Sequence, residues 1–137
     1  MKSWKVNFIF ICIVILSFAL KGCDEARNPF EASSPSALSV SGYRIGISAI
    51  YGGSSMRADG SSQATIRVEV WGSTGQFIDN VPVTLTATLG TLASYSLTTS
   101  NGVAVTTFTA GTKAGVAYVT ATVENVSVSA TIILSSF

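Results

Sequence analysis

The chain has 137 residues, 47% of them hydrophobic and 11% charged, with two cysteines and no histidine, the size of one domain with a short appendage. Without His it lacks the commonest general base and the commonest metal ligand. The formal charge of +1 divides unevenly: Lys2, Lys5 and Lys21 precede all of the acidic residues, and the mildly acidic remainder has no basic footprint for nucleic acid.

In chain order, Met1 to Lys5 carry two lysines, Val6 to Leu20 form an apolar run of about 15 residues, and Lys21-Gly22-Cys23 follow. This is the layout of a secretory signal, and it is short of the roughly 20 residues a transmembrane helix needs. Leu20-Lys21-Gly22-Cys23 resembles the bacterial lipoprotein signal, with Lys21 where that family has a small residue. The resemblance implies a lipid thioether on Cys23, a cut before it, and Cys23 as the first residue of the mature chain. An ordinary secretory signal with an incidental Cys and an uncleaved anchor are the alternatives. Cys12 would leave with the signal, so the mature chain would hold one Cys and no internal disulfide. Two or three acyl chains anchor stably where one does not. Asp24 marks inner-membrane retention in enteric bacteria only, which leaves the outer membrane or cell surface open beside the periplasmic face of the inner membrane.

Residues 24–37 contain two prolines, several serines and mixed charges without apolar periodicity, the composition of a tether. The expected organisation is a signal at 1–22, a tether at 23–37 and one domain at 38–137.

From Leu38 onward the apolar period is two. It runs through Ala64, Ile66, Val68 and Val70, through Val81 to Leu89, through Ala117 to Val123, and through Val126 to Leu134. Turn signals separate these stretches at Asp59-Gly60, Gly72 to Gly75, Asp79-Asn80, Gly90, Asn101-Gly102, Gly111 and Glu124-Asn125. Asn101-Gly102 and Glu124-Asn125 each predict a tight hairpin. Six to eight short strands without a helical period predict an all-β, two-sheet antiparallel sandwich. Its expected core is Ile66, Val68, Val83, Leu85, Phe108, Val119 and Ile132.

Several of these segments, in this order, resemble the bacterial immunoglobulin-like domain, group 1, the repeat of invasin- and intimin-type surface proteins. They are Ala58-Asp59-Gly60, the strand Ala64 to Trp71, Gly75, Val81 to Leu85, Gly90-Thr91-Leu92, Thr98 to Ala104, and Lys113 to Ala121. The resemblance covers roughly Arg57 to Leu134 and implies an immunoglobulin-like sandwich. Such repeats usually stand in tandem behind a β-barrel, whereas here one domain follows a lipid signal.

Catalytic chemistry has little to draw on. No His activates the serines, and Ala110 stands three residues before Lys113, which excludes a Ser-x-x-Lys dyad there. Asp59, Glu69, Asp79 and Glu124 fall in separate turns or strands, and no metal-binding loop is present. The expectation is therefore a protein that is not an enzyme and has no catalytic residue, metal, cofactor or small-molecule substrate. Arg57-Ala58-Asp59 has the form of an integrin-type tripeptide, but Asp59-Gly60 reads as a turn. Trp71 and Tyr118 share parity with polar strand residues and are expected outward, as the candidate binding residues. Two functions fit: a lipid-anchored envelope binding or adhesion module for protein or glycan, and a structural spacer or accessory subunit without its own ligand.

Overall fold

In a computed structural model the described residues are 36–136. The signal, Cys23 and the tether as far as Pro35 lie outside them. The strands, in chain order, are β1 Ser36–Leu38, β2 Arg44–Ile50, β3 Met56–Arg57, β4 Gln63–Trp71, β5 Pro82–Ala87, β6 Gly90–Leu92, β7 Ser96–Thr98, β8 Val103–Ala110, β9 Gly115–Val123 and β10 Val126–Ser135. They form two five-stranded sheets. Sheet one has the order β1-β2-β4-β8-β6, and sheet two the order β3-β10-β9-β5-β7. Ser36 and Ala37, counted above with the tether, pair with Gly46 and Ile45 as part of β1.

Alternation decides which side chains fill the space between the sheets. Ile66, Val68, Val83, Leu85, Phe108, Val119 and Ile132 are all buried, as expected, together with Ile45, Ile47, Val70 and Ala104. Small residues let the layers interdigitate: Ala104 faces Val68, and Ala121 faces Leu85, across their ladders. No buried side-chain nitrogen or oxygen among the described residues lacks a partner. Buried Thr99 accepts the Val81 N–H (3.0 Å) and donates to the Ile78 carbonyl (2.8 Å), which fixes the entry into β5.

The structure adds four details to the expected antiparallel sandwich. One ladder is parallel: Met56 and Arg57 lie beside Leu134 and Ser135. The apolar run expected as one strand from Val81 to Leu89 stops at Ala87, because Leu89 takes a positive φ of 54° where the chain crosses from sheet two to sheet one. Asn101-Gly102 is a tight turn, with φ of 51° and 73° and Ser100 and Val103 exchanging both backbone hydrogen bonds. It joins β7 of one sheet to β8 of the other, so it is a crossover and not the expected hairpin. Glu124-Asn125 is a true hairpin turn, between β9 and β10. The short strands β1, β3, β6 and β7 bring the total to ten, since two or three residues are too few to show a period.

Candidate binding surface

The ladder register assembles a cluster that the sequence does not show. Leu38 lies opposite Arg44, Arg44 opposite Trp71, and Trp71 opposite Phe77 through an isolated bridge. Directly opposed residues share a sheet face, so all four stand in one row across the outer side of sheet one. Leu38 and Phe77 are 61% and 53% exposed.

Glycines seat the two aromatic rings. A Cβ at position 46 would lie 3.0 Å from Cη2 and Cζ3 of Trp71, so the indole rests on the bare backbone of β2. A Cβ at position 102 would lie 2.5 Å from Cβ of Phe77, so that side chain rests on the Asn101-Gly102 turn. The ring centroids are 6.1 Å apart with planes inclined by 30°. The loop between them closes through Gly72 N–H to the Gln76 carbonyl (2.8 Å) and Gly75 N–H to the Gly72 carbonyl (3.0 Å), and Ile78 N–H returns to the Val70 carbonyl (3.1 Å). The platform is therefore preorganised, and little side-chain entropy remains to be lost on binding.

Charge is placed unevenly around it. Glu69 in the adjacent row is paired with Arg67 at 2.6 Å. The Arg44 guanidinium makes no hydrogen bond or ion pair with another described residue. Trp, Arg and aromatic anchors beside an exposed Leu are the side chains that dominate binding energy at protein interfaces.

The other candidates fall elsewhere. Tyr118 faces outward on β9, in sheet two, so the structure does not bring it together with Trp71. In Arg57-Ala58-Asp59 the carboxylate is committed to its own turn. It accepts N–H bonds from Ser61 (2.8 Å) and Ser62 (2.7 Å) and the Ser62 hydroxyl (2.9 Å), which hold it far below the usual carboxylate range. The depression lined by Arg57, Ala58, Asp59 and Ser135 measures about 160 Å³, below the few hundred Å³ of a ligand pocket. Glu124 is also held below its ordinary value, by the Ser41 hydroxyl (2.6 Å) and N–H (3.1 Å), and it pins the β1–β2 turn to the β9–β10 turn. No three His, Cys, Asp or Glu side chains among the described residues gather to hold a metal ion. Leu38, Arg44 and Phe77 escaped sequence reading because register, not periodicity, places them beside Trp71.

Comparison with known proteins fits this architecture. The profile of the bacterial Ig-like domain (group 1) matches residues 53–134. The chain belongs to the bacterial Ig-like domain family, group 1. The D0–D1 domain of intimin superposes with a TM-score of 0.55 at 31% identity, covering 66% of this chain and 47% of that one. A C-terminal 282-residue fragment of intimin, in complex with the intimin-binding domain of the translocated intimin receptor, gives 0.56 at 32%, covering 64% and 31%. The Yersinia pseudotuberculosis adhesin InvE gives 0.56 at 26%, covering 66% and 26%. The chain thus spans less than half the length of these intimin fragments. No curated relative matches it.

Proposed function

We propose that this Ig-like domain is a non-catalytic adhesion module of the cell envelope, held to the membrane by lipid on Cys23 and contacting a protein or glycan ligand through the Leu38–Arg44–Trp71–Phe77 row. The observation that carries the reading is the rigid aromatic pair on its glycine seats, flanked by the Arg44 guanidinium, which has no ion-pair partner among the described residues. Intimin and InvE supply the context, since the first is seen with a receptor domain and the second is an adhesin. Lipid attachment and the location at the outer membrane, the cell surface or the periplasmic face of the inner membrane rest on the sequence around Cys23. The spacer reading keeps one observation in its favour, the hydroxyl-rich outer side of sheet two.

The test compares adhesion of particles bearing the intact chain with particles bearing the double variant Trp71→Ala/Phe77→Ala. Loss of central anchors of about 2 kcal/mol or more corresponds to roughly a 30-fold drop. Equal adhesion of both proteins, with recovery of one stoichiometric envelope partner by each, would replace the adhesin with the accessory subunit.

A further inference from the structure

Charge on the outer side of sheet one is arranged around a single open position. The five strands of that sheet carry three charged side chains, Arg44, Arg67 and Glu69. Arg67 and Glu69 hold each other at 2.6 Å and cancel, whereas Arg44 has no ion-pair partner among the described residues. Acids of the adjoining turns are committed elsewhere. Glu124 accepts the Ser41 hydroxyl and N–H, and Asp79 accepts the Gly102 N–H at 2.7 Å. Among the described residues, therefore, one guanidinium stands without a counter-charge in a row whose other members, Leu38, Trp71 and Phe77, are apolar.

Two features of the row select its occupant. The first is charge. A carboxylate is planar and accepts only, and a guanidinium meets it with two parallel N–H bonds. The second is spacing. Neighbouring strands lie about 4.8 Å apart, so the row from Leu38 to Phe77 spans about 15 Å. An extended peptide presents alternate side chains on one side about 6.8 Å apart, so three of them cover about 14 Å. Laid along the row, such a segment sets the first over Leu38, the second at Arg44, whose long side chain takes up the difference in spacing, and the third over the rings. Leu38 also favours peptide over glycan. A pyranose ring stacks on an aromatic face but gains little from a branched aliphatic side chain that is 61% exposed, whereas an apolar peptide side chain buries it.

We infer that the Leu38–Arg44–Trp71–Phe77 row receives an extended acidic segment of a partner protein, with an Asp or Glu on Arg44 and an apolar residue two positions away on either side. This rests on the reading of the row as the ligand site and names what that site selects. Arg44 sets the specificity, because it supplies the charge, while Leu38 and the rings supply the apolar area that is buried.

The experiment measures capture of particles bearing the intact chain by beads that display many copies of the peptide Leu-Ser-Glu-Ser-Phe. Capture should be roughly tenfold greater than by beads displaying Leu-Ser-Gln-Ser-Phe, and it should fall as added salt screens the ion pair. Arg44→Gln should remove that preference, and Arg44→Lys should keep only part of it, because an ammonium lacks the planar fork. Since Arg44 is exposed, Arg44→Gln should match the parent in resistance to limited proteolysis. Three results would each overturn the inference: equal capture by the two peptides, an unchanged preference in Arg44→Gln, or capture by hyaluronan beads and not by the peptide, which would put an acidic glycan in place of protein. The particles' own adhesion keeps the two readings apart. If it is lost in Trp71→Ala/Phe77→Ala yet unchanged in Arg44→Gln, the ligand site stands and the acidic segment does not.

Discussion

Adjacent residues of β5 offer a direct test of the sandwich. Leu85 is 1% exposed and faces Ala121 across the ladder, whereas its neighbour Thr84 points outward. Leu85→Ala removes three carbons from the space between the sheets. At about 0.8 kcal/mol per methylene the transfer loss is roughly 2.4 kcal/mol, and a residual cavity raises it to about 3–4 kcal/mol. A domain of about 100 residues has roughly 5–15 kcal/mol of total stability, so the variant should fold but with a large deficit. With a urea m-value of about 1.5 kcal/mol/M, the midpoint of the fragment 33–137 should fall by about 2 M at unchanged slope. Thr84→Ala, on the exposed face, should shift it by less than about 0.4 M. A one-residue slip of β5 would exchange the two residues between faces. Equal shifts, or a larger one for Thr84→Ala, would refute the register and with it the placement of every outward residue of sheet two.

Three further outcomes follow from particular residues. Gly42 and Gly102 both have positive φ, but only a Cβ at 102 meets Phe77, so Gly42→Ala should cost about 1–2 kcal/mol in urea unfolding and Gly102→Ala clearly more, with altered Trp71 fluorescence. Asp59 is held low in the folded state, so its contribution is complete above its unfolded pKa near 3.8 and is lost as pH falls through the lower folded value. Urea midpoints measured below pH 4 should therefore decline more steeply for the parent than for Asp59→Asn. Cys23→Ser should abolish labelling by a palmitate analogue and partition into detergent while leaving the β domain folded; identical labelling of both chains would point to a plain secretory signal or an uncleaved anchor.

The sandwich was legible because each long strand repeats its buried residues every second position, from Ala64 to Val70 and again from Ala117 to Val123. The points at which the chain changes sheet were not. Leu89 continues the alternation of β5 in sequence, and only its positive φ ends the strand. Asn101-Gly102 has the chemistry of a hairpin turn, and that local chemistry is the same whether the next strand stays in the sheet or crosses to the other one. Of the row proposed to bind, only Trp71 had a visible signal. Leu38, Arg44 and Phe77 lie far from one another along the chain, and pairing register alone unites them.

How this domain can meet a partner is constrained by its edges as much as by its faces. The flanking strands β1, β3, β6 and β7 have three, two, three and three residues. They cover only part of the longer strands inside them: β3 pairs with β10 at Leu134 and Ser135, and among the described residues no ladder continues along that edge of β10. Side chains on the two outer faces offer further contact surfaces, and these are unlike. One has rings fixed on glycine seats beside the Arg44 guanidinium, which has no ion-pair partner among the described residues and suits a partner carrying an acceptor or a negative charge near an apolar surface. The other carries hydroxyls paired laterally and an apolar end at Val116, Tyr118 and Ile133, with exposed Arg57 of β3 beyond it. Because the two faces lie on opposite sides of one core, either contact leaves the other free.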